Sequence, residues 1–399
     1  MTQGPWPLKP LVDVVEVLDS RRVPVKAADR AASGGDVPYY GATGQVGFID
    51  RPLFNEPLLL LGEDGVPFLD PNRPKAYLID GPAWVNNHAH VLRTSEQVDR
   101  RFLLYCLNTF DYRGFVNGTT RLKLTQTAMR SMTIPFPDMR EQRRIVEIVE
   151  DHLSHLDAAD ASLALAGQRA VALGASVRED SIAGSFFPLG EIAAIQGGIQ
   201  KQPKRAPKEN SFPFLRVANV TGDGLNLDEV HQVELFDDEI ERWRLAAGDL
   251  LVVEGNGSAA QIGRSCLWDG SIPECVHQNH IIRVRPQSSM IPEYLELVWN
   301  SPSLRAELTR IASSSSGLHT LSVAKLKRLV VPRPPLEIQQ QLIGEAQRVL
   351  EDAKRLRAMV AVLQQRSLAT RRGVLAAAFS GRLTGASVDS EVIEELAQG

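Results

Sequence analysis

Apolar residues recur every seven positions in two long stretches of this chain. In the first, Val149, Leu156, Leu163, Ala170 and Val177 keep that spacing, with Ala159, Ala166 and Leu173 at companion positions and His152 as the polar exception. In the second, Leu342, Val349, Leu356 and Leu363 repeat it beside Ala346, Ala353, Val360 and Val374. Heptads sustained this long predict coiled-coil helices rather than helices lying on one globular surface. Each stretch opens after a proline-rich stop, Pro135 and Pro137 in one and Pro332, Pro334 and Pro335 in the other. Proline cannot occupy a helix interior, so the helices begin there. At 1.5 Å per residue, some forty residues make a rod of about 60 Å. Both seams are narrow and apolar, so the rods should pair with each other. The expected seam is Val149, Leu156 and Leu163 against Leu342, Val349, Leu356 and Leu363.

Ahead of each rod the pattern changes to short runs between Gly/Pro turns. VPYYGATGQVGFID, AYLIDG and AWVNNHAHVL read as strands and VDRRFLLYCLNTF as a helix. In the second block FPFLRVANV, GDLLVVEG, CLWDG and HIIRVRP read as strands, PEYLELVWN and PSLRAELTRIA as helices. Both blocks are therefore mixed α/β (α+β).

The chain also repeats itself. IPFPDMREQRRIVEIVEDHL near residue 134 corresponds to VPRPPLEIQQQLIGEAQRVL near residue 331. One offset of 197 residues relates Pro135 to Pro332, Gln142 to Gln339 and Gly184 to Gly381. No insertion separates those markers, as expected of rigid rods whose length matters. Upstream the copies correspond more loosely: WPLKPLVDVV with FPLGEIAAIQ, WVNNHAHVLR with CVHQNHIIRV, FLLYCLNT with YLELVWNS, and GTTRLKLT with GLHTLSVAK. The order is variable block, constant rod, variable block, constant rod.

Composition narrows the class. Hydrophobic residues make up 43% of the 399 residues and charged residues 23%, which describes a soluble globular protein. The beginning, MTQGPWPLKPLVDVVE, lacks the basic-then-apolar layout of a secretory signal. Three cysteines, Cys106, Cys266 and Cys275, make a disulfide framework unexpected and fit a reducing cytoplasm. The formal charge of -4 opposes a nucleic-acid partner. Binding depends on where charge sits, however. Much of the acid falls in the first rod (Glu141, Glu147, Glu150, Asp151, Asp157, Asp160) and in the tail (Asp389, Glu391, Glu394, Glu395).

Two copies of P-x-P-x-x-x-x-Q, each opening a long helix after a divergent α/β block, closely resemble the specificity subunits of Type I restriction-modification systems. YYGATGQVGFID, NNHA and the VLAAAFSGRL ending are similar to that family too, so the resemblance runs from about Pro5 to Leu383. It implies two target-recognition domains in pseudo-repeat, separated by two long helices forming an antiparallel coiled coil. Residues 1–139 would be target-recognition domain 1, 140–186 a spacer helix, 187–335 target-recognition domain 2, 336–384 the second spacer helix, and 385–399 a flexible tail. Each domain would read one half of a split double-stranded DNA target, the rods fixing the gap. The implied partners are two methyltransferase (M) subunits, which bind S-adenosylmethionine, and two restriction (R) subunits, which use ATP and Mg, in a cytoplasmic phage-defence complex. This chain itself would be non-catalytic and bind no cofactor directly. The copies differ at Asp138 against Pro335, and the first helix ends AGSF where the second ends FSGRL.

Candidate DNA contacts are polar and basic loop residues, since hydroxyls and amides hold phosphates and Arg can grip guanine bidentately. NGTTRLKLT offers Asn117, Thr119, Thr120, Arg121 and Lys123. SSSSGLHTLSVAKLK offers Ser315, Ser316, His319, Thr320, Lys325 and Lys327. GGIQKQPKRAPKEN offers Gln200, Lys201, Lys204, Arg205 and Lys208. Thr43, Gln45 and Arg73 are weaker candidates, and each of these residues could equally lie on a solvated loop.

Cys266, Cys275, His277 and His280, or the His88 and His90 pair, could in principle bind zinc, but the spacing matches no recognised ligand pattern. Neither G-x-G-x-x-G nor G-x-x-x-x-G-K-[ST] occurs, and DPNRP at Asp70 has the wrong order for an adenine methyltransferase element. A coiled-coil adaptor that binds only proteins stays open; retention on DNA at low salt separates it.

Overall fold

The two proline stops lead into helices of 42 and 44 residues, Met139–Asp180 and Leu336–Phe379. At 1.5 Å per residue these are rods of about 63 and 66 Å. The computed structural model describes residues 6–222, 224–255, 261–312 and 320–383, the side chains of 31–33 excepted. Two compact units divide the chain, Met1–Ala164 with Ala361–Gly399, and Leu165–Val360. Each unit holds one mixed α/β domain and half of each long helix.

In the first unit, Val15–Val17, Ala89–Thr94, Leu58–Gly62 and Ala76–Ile79 form an antiparallel sheet in that spatial order. A second sheet runs Gly44–Ile49, Val37–Gly41, Pro82–Val85, Phe54–Asn55, with Tyr39 and Trp84 in a parallel pair. Helix Arg100–Thr109 packs on the first sheet, its N-terminus capped by Asp99, whose carboxylate accepts the N–H of Arg101 and Phe102 at 2.9 and 3.0 Å. Leu8–Pro10 pairs with Thr133–Pro135, bringing the domain's two ends together.

The second unit repeats this plan. Its sheets are Ala193–Gly197, Ile281–Pro286, Leu250–Val253, Ser265–Leu267, and His231–Glu234, Ser211–Leu215, Val276–His277. The second again contains one parallel pair, Phe214 with Val276. Ser185–Pro188 pairs with Val330–Arg333 to bring this domain's ends together. Helices Pro292–Trp299 and Pro302–Ala312 follow, the first packed on the sheet. The strands and helices expected from the sequence all form, and further strands join them, among them Val15–Val17, Leu58–Gly62, Ala193–Gly197 and His231–Glu234.

The rods run antiparallel, as each unit shows separately. In the first, Arg371 Nη2 lies 2.6 Å from Asp157 Oδ1 and 2.8 Å from Asp160 Oδ2. Ile145 and Val149 share a core there with Val374, Ala377, Ala378 and Leu383. In the second, Gly167 faces Val360 and Gly174 faces Leu350, where a Cβ would meet the partner side chain at 3.7 and 3.6 Å.

The buried line of the second rod differs from the expected one. Leu342 and Val349 are half-buried, while Leu356 and Leu363 are 39% and 36% exposed. Ala346, Ala353, Val360, Ser367 and Val374, seven apart, are buried instead. Small side chains let two backbones approach closely, and the larger leucines are turned outward. On the first rod Val149 is buried and Leu156 and Leu163 are half-buried.

The glutamine of the repeated motif has a clear local role. Gln142 is fully buried; its Nε2 donates to the carbonyls of Pro137 (2.9 Å) and Gln97 (3.2 Å), and its Oε1 accepts the Asp99 N–H (2.8 Å). Gln339 does the same with Pro334, Ser289 and Ile291 at 2.8, 3.0 and 2.8 Å. Each glutamine thus fastens the start of its rod to the domain before it and satisfies backbone groups that water cannot reach.

Candidate nucleic-acid interface

The basic loop of the first domain is the tip of a short hairpin, Val116–Asn117 with Lys123–Leu124. Gly118 turns the chain at φ +105°, and a Cβ there would lie 2.4 Å from the Arg121 carbonyl, so only glycine fits. Asn117, Thr119 and Thr120 are exposed at the tip. Arg121 and Lys123 are also exposed, but each is ion-paired: Arg121 Nη2 with Asp64 Oδ1 at 2.7 Å, Lys123 Nζ with Glu63 Oε1 at 3.1 Å.

Glu63 and Asp64 follow the strand Leu58–Gly62, and the sequence reading did not single them out. Asp64 also holds His88 Nδ1 at 2.8 Å, on the NNHA turn. Glu63 takes Arg22 Nη1 at 2.7 Å, and Arg22 reaches Asp19 at 3.3 Å. Asp19 in turn accepts the Val91 N–H and lies 2.6 Å from buried His90. Burial raises the Asp19 carboxyl, but the His90 hydrogen bond and charge, the Val91 N–H and Arg22 together bring it below the usual carboxylate range.

Asp19, Glu63 and His90 are the one set among the described residues whose ligand atoms cluster within 4.8 Å. They are already engaged, since Arg22 contacts both carboxylates and the second His90 nitrogen lies 2.9 Å from the Leu124 carbonyl. Cys266 and Cys275, by contrast, are packed in an apolar core, where burial pushes both thiols up to about 12. Fully buried His277 is pushed down to about 4, chiefly by burial.

The second domain builds the same junction. In the first, Glu63 N donates to His88 O and Leu124 N to Glu63 O, at 2.8 and 2.7 Å. In the second, Glu254 N donates to His280 O and Leu321 N to Glu254 O, at 2.9 and 2.8 Å. Thr125 and Ser322 then cap equivalent short helices. Each domain therefore joins the same three points of the chain: the glutamate after a buried strand (Glu63, Glu254), the histidine of an Asn-His turn (His88, His280), and the leucine after the hydroxyl-rich segment (Leu124, Leu321). The signal in the sequence was the pair of apolar runs LLLLGED and LLVVEGN, each ending at a glutamate.

Ser315, Ser316 and His319 lie outside the described residues. Thr320 is exposed, and Lys325 Nζ donates to the Thr320 and Ala312 carbonyls at 3.0 and 3.4 Å, tying the base of that loop. In the GGIQKQPKRAPKEN loop, Gly198 passes so close to the His277 carbonyl that a Cβ would lie 2.2 Å from it. Gln200, Lys201, Lys204 and Lys208 are exposed, and none of the three lysines has an ion pair among the described residues. Arg205 differs from its neighbours. Its guanidinium forms two 2.8 Å bonds to Glu239 and lies over the Phe236 ring, bringing Glu239 down to about 2. It is engaged in holding the loop. Thr43, Gln45 and Arg73 are exposed in the first domain.

The chain thus carries two duplicated α/β domains, each built with part of an antiparallel helix pair. The family model of the Type I restriction modification DNA specificity domain matches residues 3–160 and 185–357, and the chain belongs to that family. It is similar to a putative type I restriction enzyme specificity subunit of Haemophilus influenzae, 23% identical over 347 residues, covering 84% of this chain and 85% of that one. The EcoKI specificity subunit of Escherichia coli is 25% identical over 318 residues, covering 74% and 68%. Among solved structures, a chain of a type I R-M system described for its complex assembly and conformational transition superposes with a TM-score of 0.72. It is 17% identical and covers 96% of this chain and 100% of that one. The HsdS subunit from Thermoanaerobacter tengcongensis, also 17% identical with the same coverage, gives 0.54. The chain is a non-catalytic specificity subunit that recognises DNA and takes part in a complex with methyltransferase and restriction subunits. No described helix is long and apolar enough to cross a membrane.

Proposed function

We propose that residues 1–139 and 187–335 are two target-recognition domains, each reading one half of a split DNA site, and that the rods 140–186 and 336–384 set the gap. The observation that carries this is the duplicated junction: the same two backbone hydrogen bonds, made through Glu63 in one domain and Glu254 in the other, in two domains of different sequence. A shared frame with divergent tips is what two readers of different half-sites require, because base readout depends on a few side chains at groove edges. Asn117, Thr119, Thr120 and Arg121 in the first domain, and Thr320 with Ser315, Ser316 and His319 in the second, are the proposed readers. Lys123, Gln200, Lys201 and Lys204 hold phosphates, while Lys325 and Arg205 shape their loops. The assembly has two M and two R subunits and works in the cytoplasm, with S-adenosylmethionine, ATP and Mg on those partners.

Methylation mapping in cells that express the complex tests this. Replacing residues 187–335 with the equivalent block of a relative is expected to change one half of the methylated motif only. Inserting one helical turn after Leu156 is expected to change the gap and keep both halves. A change in both halves, or an unchanged gap, overturns the respective assignment.

A further inference from the structure

The Glu63 and Glu254 junctions share their backbone bonds and differ in one charged pair. Just after the buried strand of the first domain, Asp64 Oδ1 takes Arg121 Nη2 at 2.7 Å and His88 Nδ1 at 2.8 Å. The second domain keeps the histidine tie, with Glu254 Oε2 3.2 Å from His280 Nδ1. Its sequence does not keep the arginine. With Glu63 matched to Glu254 and Leu124 to Leu321, Asp64 corresponds to Gly255 and Arg121 to Leu318. Acid and guanidinium occur together in one copy and are replaced together in the other. The frame is common to both domains, so this pair belongs to what distinguishes them.

The seat for that guanidinium is built from both side chain and backbone. The Asp64 side chain is 18% exposed, whereas that of Arg121 is 61% exposed. Gly65, at φ +69°, offers bare backbone: a Cβ there would stand 3.1 Å from Arg121 Nε and 3.2 Å from Nη2. The acid is itself held on both sides. Glu63 is bonded to His88 and Leu124, Asp64 bridges Lys123, and Gly65 N donates to the Leu122 carbonyl at 3.3 Å. Glu63 does not stand in for Asp64, because Arg22 Nη1 and Lys123 Nζ engage its two carboxylate oxygens. An arginine loses rotamer freedom when it binds a base, and a carboxylate that fixes it beforehand removes part of that cost.

We propose that Asp64 is a specificity-determining residue of the first domain, a positioning group that aims the Arg121 guanidinium at a base edge. The inference rests on the reading of residues 1–139 as a DNA-reading domain. A bidentate grip on guanine needs the guanidinium plane fixed, and the Asp64–Gly65 seat fixes it. Without the acid, Arg121 keeps its positive charge but swings to any phosphate. Removing the carboxylate also removes its repulsion of the DNA backbone. Affinity for DNA of any sequence then rises while discrimination at one base pair falls, whereas a loss of fold lowers both.

Methylation mapping in cells that express the complex with wild-type, Asp64→Asn, Arg121→Ala or doubly substituted chains tests this. Asp64→Asn is expected to relax the same base position as Arg121→Ala, the preference there falling about tenfold. The double variant should be no more relaxed than Arg121→Ala alone, with the other half of the motif and the gap unchanged. Binding of the purified complex to a duplex without the motif should tighten in Asp64→Asn and weaken in Arg121→Ala. An unchanged motif in Asp64→Asn, beside a relaxed one in Arg121→Ala, overturns the inference and leaves the reading of the domain standing. So does relaxation at a different position. An unchanged motif in Arg121→Ala removes that residue as a reader and the inference with it. Methylation lost at every site, with a lowered Tm, assigns Asp64 a purely structural role and overturns it too.

Discussion

Gln142 and Gln339 lie 197 residues apart and make the same three hydrogen bonds, each to a carbonyl five residues back and to both polar sides of a loop in the domain before it. Truncating either one strands buried backbone groups. Gln142→Ala and Gln339→Ala are each expected to destabilise the protein by about 2–4 kcal/mol. Urea unfolding of the two variants checks this; a loss below about 0.5 kcal/mol would mean that water enters and replaces the side chain.

The alanine line of the second rod sets how closely the helices approach. Ala353→Leu should cost about 1–3 kcal/mol by overpacking, whereas Leu356→Ala should stay within about 0.5 kcal/mol. Thermal unfolding with both variants distinguishes the two lines, and the opposite order would return the seam to the leucines.

His277 gives stability a pH dependence. Its Nδ1 lies 2.9 Å from the Ile281 carbonyl, its Nε2 is buried without a partner, and burial pushes it down to about 4 from an ordinary 6.5. The unfolded chain therefore binds a proton that the folded chain refuses. This contribution is fully present above pH 6.5 and is lost as pH falls from there through about 4, on the order of 3 kcal/mol in all. In His277→Asn the slope of stability against pH over that window should flatten; an unchanged slope assigns the dependence to other groups.

Adjacent residues in the basic loop of the second domain should behave differently. Lys204→Ala is expected to weaken DNA binding across sequences and lower the salt slope by about one, with Tm unchanged. Arg205→Ala should lower Tm, because it breaks the clamp on Glu239. Binding curves at several salt concentrations, beside thermal unfolding, separate the two, and equal effects would remove the distinction.

The rods, their pairing and the α/β blocks were legible because heptads, proline stops and an unbroken offset can be read directly along the chain, whereas the antiparallel direction came from the family resemblance. The strand Leu58–Gly62 was not, since four consecutive leucines buried on both faces show no alternation. The second seam departs from the leucine line because hydrophobicity ranks leucine above alanine, whereas close helix contact selects the smaller side chain. Glycine-hydroxyl loops stood out in sequence, but their supports did not. Arg205 is restrained by a glutamate 34 positions away and Arg121 by an aspartate 57 away, pairings that only folding reveals.

Val374, Ala377, Ala378 and Leu383 complete the core of the unit that begins at the other end of the chain. During synthesis, then, the unit whose residues emerge first is the one that must wait. Leu165–Val360 has all its parts once residue 360 leaves the ribosome, while the first unit keeps an open apolar face until the last helix arrives. A message cut short before residue 374 would thus damage the beginning of the protein rather than its end.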